Sequence, residues 1–65
     1  MQFGENLAKA RKEKGFTQKQ LAEELGVYQK DISRWEQGKI EPGVLTLKKI
    51  CEVMGVSSDE LLEIR

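Results

Sequence analysis

Four glycines divide this chain into short segments, and each follows a stretch whose apolar residues recur at helical spacing. A glycine in that place is typical of a helix C-terminus, where the backbone often adopts a left-handed conformation that glycine tolerates. No stretch alternates apolar and polar residues for long enough to predict a strand. The pattern therefore predicts an all-α fold. The four residues are Gly15, Gly26, Gly38 and Gly55.

The segments between these glycines predict a compact bundle of five helices. Capping boxes support the starts of the second and fifth helices, where Thr17 precedes Gln20 and Ser57 precedes Glu60 by three residues. The connections are short, as in other helical bundles. Since no repeat or change of composition divides the chain, we interpret residues 1–65 as a single domain. The predicted helices cover residues 4–14, 18–25, 29–37, 44–54 and 58–63.

The composition excludes several classes of protein. With no histidine and one cysteine, the chain has no internal disulfide, no zinc site built from those residues and no catalytic triad. The pairs Glu23-Glu24 and Asp59-Glu60 are neighbours on predicted helices, so their carboxylates diverge. The sequence therefore predicts a protein that is not an enzyme and that binds neither a cofactor nor a metal.

Hydropathy and charge bear on the compartment and on the partner. No apolar run is long enough for a membrane span or a secretory signal, and a lone thiol suits the reducing cytosol, so we expect a cytoplasmic protein that binds no membrane. The net charge of zero counts by itself against a nucleic-acid partner. However, residues 1–39 carry eight basic and six acidic residues, whereas residues 40–65 carry three and five. The first part therefore offers a modestly basic face.

Residues 17–38 predict two short helices joined by a tight turn. Gly26 permits the positive φ that turns the chain sharply. Ala22 is small at the point where two steeply crossing helices meet, and Ile32 and Trp35 lie on the inner side of the predicted third helix. These are the requirements of a helix-turn-helix unit.

The spacing within this unit resembles the helix-turn-helix signature of phage repressors and Cro proteins. Counted from Gln18, the residues Ala22, Gly26 and Ile32 stand fifth, ninth and fifteenth. Nearly the whole chain resembles the Cro/repressor family, an XRE-like, lambda-repressor-like domain. That resemblance implies a five-helix bundle that binds duplex DNA through its second and third helices and regulates transcription, most often as a repressor. Further matches are Arg11, the Thr17-Gln18 pair, the Glu36-x-Gly38 step, Pro42 and Gly55-Val56-Ser57.

The outward side of the third helix carries side chains suited to base edges. At 100° per residue these point away from Ile32 and Trp35. Glutamine pairs with adenine through two hydrogen bonds, and arginine or lysine with guanine. A solvated surface is the alternative interpretation, but the motif favours base reading. The expected base-reading residues are Gln29, Lys30, Ser33 and Arg34.

The resemblance also implies contacts with the phosphate backbone. In the family, the residue at the position of Gln18 contacts the backbone and can support the recognition glutamine, here Gln29. Tyr28 occupies a position that usually holds serine or threonine as an N-cap, and Asp31 in the first turn is expected to offset that loss. Two roles stay open for Tyr28, a phosphate contact or packing on a neighbour. The expected phosphate-contacting residues are Gln18, Tyr28, Gln37 and Lys39.

The interior is expected to contain an ion pair as well as apolar side chains. In the family, residues at the positions of Arg11 and Glu36 bridge the first helix to the end of the third, and we expect a partly buried, hydrogen-bonded pair. Trp35 lies on the inner side of its helix and Cys51 lies among apolar residues, so both are expected in the core.

A single recognition helix reads only a few base pairs, so we expect a homodimer on an inverted-repeat operator with half-sites ~34 Å apart. The resemblance places the dimer contact in the fifth helix and the loop before it. Because polar residues occupy some of these positions, we expect association that is weak or induced by DNA on the nucleoid. The alternative function is an antitoxin or adaptor of the same fold that binds a partner protein, with DNA binding secondary. The expected interface residues are Ser58, Leu62 and Ile64.

Overall fold

Five helices make up most of residues 3–62, which are the residues described by the structure, a computed structural model. The described part of the chain contains no strand. The predicted all-α, five-helix bundle is therefore confirmed over these residues. The helices are α1 (Phe3–Glu13), α2 (Gln18–Leu25), α3 (Gln29–Glu36), α4 (Val44–Met54) and α5 (Ser58–Leu62).

The predicted bounds are right for α2 and α4 and shifted by one residue in α1 and α3. The Thr17 Oγ1 atom accepts the Gln20 N–H at 3.0 Å, and the Gln20 Oε1 atom accepts the Thr17 N–H at 2.9 Å, which confirms the capping box of α2. α1 begins one residue early, at Phe3, because that ring is buried in the core. It ends at Glu13. α3 ends one residue early, because Gln37 is its C-cap.

One apolar core is shared by all five helices. Trp35 is only 6% exposed, as expected. Cys51 packs against this core as expected, but its side chain is only half-buried because it also lines an open groove beside α4. The buried apolar residues are Phe3, Leu7, Leu21, Ala22, Leu25, Ile32, Trp35, Ile50, Met54 and Leu61.

The start of α1 lies directly against the end of α3. A Cβ atom on Gly4 would stand 2.5 Å from the carbonyl oxygen of Trp35 and 2.6 Å from that of Glu36. Only glycine fits this approach, which brings the positive end of one helix to the negative end of another. The contact fixes where α3 ends relative to α1.

Side-chain hydrogen bonds join two further pairs of helices. The Asn6 Nδ2 atom donates to the carbonyl oxygen of Leu61 at 2.9 Å and joins α1 to α5. The Lys49 Nζ atom donates to the carbonyl oxygen of Leu25 at 3.2 Å and joins α4 to the end of α2. The predicted end of the fifth helix, at residue 63, lies outside the described residues. No helix within residues 3–62 is long and apolar enough to cross a bilayer.

Candidate nucleic-acid interface

A left-handed glycine closes the turn between α2 and α3. Gly26 has φ 71° and ψ 31°, as the sequence predicts. Its N–H donates to the carbonyl oxygen of Glu23 at 3.3 Å, and the Val27 N–H donates to that of Ala22 at 3.0 Å. These two bonds satisfy the last carbonyl groups of α2. α3 begins three residues after Gly26, so the two helices form a helix-turn-helix unit.

α3 has a buried side and an exposed side. Ile32 is fully buried and Trp35 nearly so, and both pack in the core that α3 shares with α1 and α2. The opposite side carries polar and charged side chains, with Ser33 half-buried and the others exposed. The fold therefore brings the four expected base-reading residues to one side of a single helix. They are Gln29, Lys30, Ser33 and Arg34.

The C-terminal half of that surface contains a side-chain hydrogen bond. The Gln37 Nε2 atom donates to the Ser33 Oγ atom at 2.9 Å. The Ser33 hydroxyl keeps its own proton for donation to an acceptor. The bond holds Gln37 alongside α3, and the exposed Lys39 follows two residues later.

At the N-terminus of α3, an acidic residue of the first turn makes the side-chain hydrogen bond. Tyr28 is the N-cap, with an extended backbone and no capping bond from its side chain. The Asp31 Oδ2 atom accepts the Tyr28 N–H at 3.2 Å, so Asp31 offsets the missing cap as expected.

The Tyr28 ring lies at the surface beside a lysine. The residue is 73% exposed, and the Lys30 Nζ atom lies 5.5 Å from the ring centroid. That distance is within the range of a cation–π contact. The contact holds a cation and a phenol ring next to each other at the N-terminus of α3.

A hydrogen-bonded ion pair lies beneath the interface. The Glu36 Oε2 atom accepts from Arg11 Nε at 2.6 Å, and Glu36 Oε1 accepts from Arg11 Nη2 at 3.2 Å. The two side chains are 10% and 9% exposed. The Arg11 Nη1 atom also donates to the carbonyl oxygen of Phe16 at 2.9 Å, in the segment that leads into α2. The structure thus contains the ion pair expected from the sequence.

Gln18 is hydrogen-bonded to the ion pair of Arg11 and Glu36. Its Nε2 atom donates to Glu36 Oε1 at 2.9 Å. The resemblance implies that Gln18 can support Gln29, and within residues 3–62 the side-chain hydrogen bond of Gln18 goes to Glu36. No local sequence pattern predicts this bond, because the two residues are eighteen positions apart and meet only where α2 and α3 cross.

An exposed apolar surface lies at the start of α4 and was missed by the sequence analysis. Val44 and Leu45 are each 83% exposed, and Ile40 is 47% exposed. Helical spacing from Leu47 and Cys51 predicts Val44 on the inner side of α4, but the first turn of α4 extends past the core. The available signal was the pair of adjacent apolar residues in that first turn, since only one of two neighbours can face the core of a helix.

An open groove of about 340 Å³ continues this surface between α4 and α5. Burial raises the pKa of the Cys51 thiol in its wall, with smaller contributions from the charges of Glu52 and Glu60. Of the expected interface residues, Ser58 is exposed and Leu62 is half-buried, and both line the groove. Ile64 lies outside the described residues. The full lining is Val44, Leu47, Lys48, Cys51, Val56, Ser57, Ser58 and Leu62.

The described residues offer no candidate metal centre. Within residues 3–62, no group of three or more histidine, cysteine, aspartate or glutamate side chains is placed to hold a metal ion. The features that the fold presents are the polar side of α3, the ion pair of Arg11 and Glu36 beneath it, and the separate apolar surface of α4.

Comparison with known proteins relates these features to a family of regulators. The SPbeta prophage-derived HTH-type transcriptional regulator YonR of Bacillus subtilis is 43% identical over 61 residues, which cover 94% of this chain and 56% of YonR. The HTH-type transcriptional activator BcrR of Enterococcus faecalis is 47% identical over 62 residues, which cover 95% of this chain and 30% of BcrR. The chain thus spans about half the length, or less, of these curated relatives.

A solved structure shows the same fold. The crystal structure of SinR, the master regulator for biofilm formation, in complex with DNA has a TM-score of 0.85 to this chain at 34% sequence identity. The match covers 92% of this chain and 97% of that one. A family model described as helix-turn-helix matches residues 7–61. The relatives are DNA-binding transcriptional regulators and not enzymes. The chain therefore belongs to the helix-turn-helix family of XRE/Cro-C1 type.

Proposed function

We propose that this chain is a sequence-specific regulator that binds duplex DNA with α3 in the major groove. The observation that carries the proposal is the division of α3 into a side anchored by Ile32 and Trp35 and an exposed side without apolar residues. An α-helix with its side chains is about 10–12 Å wide, which suits a groove about 12 Å wide. The proposed base-reading residues are Gln29, Lys30, Ser33 and Arg34.

Two of these side chains have the clearest pairing chemistry. Gln29 is the first residue of α3, and the N-terminal residues of a recognition helix come nearest to the base edges. Its amide matches the N6 and N7 atoms of adenine, while the Arg34 guanidinium matches the O6 and N7 atoms of guanine. Each such pair contributes about 1–3 kcal/mol of discrimination against the wrong base.

Phosphate contacts are proposed on both sides of α3. The first N–H groups of α2 favour a phosphate near Gln18, and Lys39 follows the end of α3. The exposed Tyr28 hydroxyl is a further donor, since its ring is held at the surface beside Lys30. Such contacts add affinity without reading sequence. The proposed residues are Gln18, Tyr28, Gln37 and Lys39.

The proposed active species is a homodimer on an inverted-repeat operator. Two recognition helices about one helical turn of DNA apart read a longer sequence than one does. The apolar surface at the start of α4 and the adjoining groove supply area that a partner protomer would bury. This extends the expected interface beyond α5. The proposed interface residues are Ile40, Val44, Leu45, Ser58, Leu62 and Ile64.

The proposed regulatory effect is repression in the cytoplasm, with the protein on the nucleoid when it is bound to DNA. A dimer on two half-sites covers about 15–20 bp, so it can block a promoter by occupancy alone. Activation requires an additional contact with the transcription machinery. Because the relative BcrR is an activator, a reporter placed behind the selected operator is the direct test of the sign.

A second candidate function is an antitoxin or adaptor that binds another protein. The exposed apolar residues Val44 and Leu45 and the net charge of zero favour it. The exposed side of α3 separates the two functions, because only DNA reading depends on it. Alanine substitutions of Gln29 and Arg34 abolish the first function and leave the second intact. Substitutions at Val44 and Leu62 abolish the second function and, under the first, weaken only the dimer.

Selection from a random duplex DNA library at near-physiological salt tests the proposal. We expect the wild-type chain to enrich an inverted repeat and the Gln29→Ala/Arg34→Ala variant to enrich nothing. The matched control is Lys14→Ala, which removes one positive charge, as Arg34→Ala does, from an exposed position outside α2 and α3. Circular dichroism verifies that both variants fold. No enrichment by the wild-type chain would contradict specific DNA reading and direct the search to a protein partner.

A further inference from the structure

We infer that Glu36 is a positioning residue for DNA binding, because it holds Gln18 in the conformation that meets the phosphate backbone. This inference rests on the proposed function, in which Gln18 contacts a phosphate. Glu36 is 9% exposed at the end of α3, so its own carboxylate is largely shielded from a ligand. Its effect on DNA is therefore exerted through its neighbours.

The hydrogen bonds of Glu36 reach both of the helices that flank the end of α3. One carboxylate oxygen accepts from Gln18 Nε2 at 2.9 Å and from Arg11 Nη2 at 3.2 Å. The other accepts from Arg11 Nε at 2.6 Å. A carboxylate that accepts three bonds from two helices has little freedom of its own, and it transmits that restriction to Gln18.

The consequence for Gln18 is a fixed amide. A glutamine side chain on a helix surface samples many rotamers, and freezing them upon binding opposes association. Here Glu36 fixes the amide before DNA arrives. The bond uses one of the two N–H groups, which leaves the second N–H as a donor for a phosphate oxygen. Gln18 is half-buried and is the first residue of α2, beside the first N–H groups of that helix.

Arg11 makes this arrangement compatible with a phosphate. A bare carboxylate 2.9 Å from the amide nitrogen would repel a phosphate bound to the same amide. The Arg11 guanidinium compensates the charge of Glu36 through two hydrogen bonds, and its third bond goes to the carbonyl oxygen of Phe16 just before α2. The Glu36 carboxylate therefore accepts the hydrogen bond from Gln18 while its negative charge is compensated by Arg11.

The test is the cost of Gln18→Ala in three backgrounds, measured as the Kd for a duplex selected by the wild-type chain. The backgrounds are wild type, Arg11→Met/Glu36→Leu and Arg11→Met/Glu36→Gln. The two double variants both remove the ion pair, and they differ only in whether position 36 offers Gln18 an acceptor. We expect Gln18→Ala to weaken binding by about threefold to tenfold in wild type and in the glutamine variant. In the leucine variant the expected loss is less than about 1.5-fold, because the amide is no longer held.

Stability is controlled with a variant remote from Gln18. Asn6→Ala removes the hydrogen bond between α1 and α5, and Gln18→Ala should keep its full cost in that background. All Kd values are taken at a temperature at which circular dichroism shows each variant folded. Should the leucine variant not fold, NMR relaxation of the Gln18 side-chain amide in the free wild-type chain gives an independent answer. We expect that amide to be more ordered than the exposed amide of Gln29.

The outcomes separate this inference from the proposed function. An equal cost of Gln18→Ala in all three backgrounds, or a Gln18 amide as mobile as that of Gln29, overturns the positioning role and leaves DNA binding standing. The absence of any cost in wild type overturns it as well, because Gln18 is then not a contact. A wild-type chain that selects no DNA overturns both.

Discussion

Removing the carboxylate of Glu36 should destabilise the fold more than its single hydrogen-bond partner in α2 would suggest. In Glu36→Ala the Arg11 guanidinium stays in a site where its side chain is 10% exposed, without the acceptor of its Nε and Nη2 bonds. Gln18 loses its acceptor in the same step. The dominant effect is therefore an uncompensated buried charge, and the lost amide bond is the smaller one.

The magnitude follows from the burial. Breaking a buried ion pair by removing one partner costs about 3–5 kcal/mol, and the bond from Gln18 adds about 0.5–1.5 kcal/mol. A chain of 65 residues has a free energy of unfolding of about 3–10 kcal/mol. Glu36→Ala thus removes a third or more of the total. At about 4–8 °C per kcal/mol for a domain of this size, the Tm falls by at least ~14 °C.

Urea denaturation followed by circular dichroism measures the effect, and a double variant identifies its cause. Arg11→Met/Glu36→Leu replaces the pair by apolar side chains of similar volume, which is neutral or stabilising by about 1–4 kcal/mol in other buried pairs. We therefore expect the double variant to unfold at a higher urea concentration than Glu36→Ala does. A Glu36→Ala chain within about 1 kcal/mol of wild type would refute the reasoning, since it would mean that water already solvates the guanidinium.

Three further predictions concern other parts of the molecule. Gly4→Ala should lower the free energy of unfolding by about 1–3 kcal/mol in the same urea assay, because the new Cβ atom would stand 2.5 Å from the carbonyl oxygen of Trp35. An unchanged midpoint of urea unfolding would contradict this, because it would mean that α1 shifts away from α3 without cost. Since burial raises the pKa of the Cys51 thiol, iodoacetamide at pH 8 should alkylate the folded chain more slowly than the urea-unfolded chain, and equal alkylation rates would contradict the burial. For the same reason, the free energy of unfolding should decline as the pH rises past the ordinary thiol pKa. Lys39 is the one cation among the proposed phosphate-contacting residues of each protomer. The plot of log K against log salt for the dimer should therefore have a slope of about −2, and a slope near −10 would mean that many more phosphates are neutralised.

The parts of the fold that local chemistry specifies were predictable from the sequence. The start of α2 is set by two reciprocal hydrogen bonds between Thr17 and Gln20, and its end by a left-handed Gly26. Both signals involve residues within one turn of each other, so no knowledge of the tertiary structure is needed. The inward side of α3 was predictable for the same reason, because helical periodicity alone separates Ile32 and Trp35 from their neighbours.

The features that depend on how helices cross were not predictable. Val44 continues the apolar stripe of α4 by spacing, yet it is 83% exposed, because the core ends before the first turn of that helix does. The bond from Gln18 to Glu36 depends on the crossing of α2 and α3 and on the rotamers of two long side chains. Phe3 joins the core although the predicted helix began one residue later, since the contact of α1 with α3 decides where burial begins.

A net charge of zero is compatible with DNA binding because the charges on α3 have different surroundings. The helix α3 carries two basic and two acidic side chains, so its net charge is also zero. Asp31 accepts the N–H of the residue that caps α3 and lies at the positive end of the helix, and Glu36 is buried against Arg11. Lys30 and Arg34 are exposed on the recognition side. The acidic side chains are thus compensated within the protein, whereas the basic side chains face solvent. A phosphate or the edge of a nucleobase approaching α3 therefore meets a positive surface, which composition alone does not reveal.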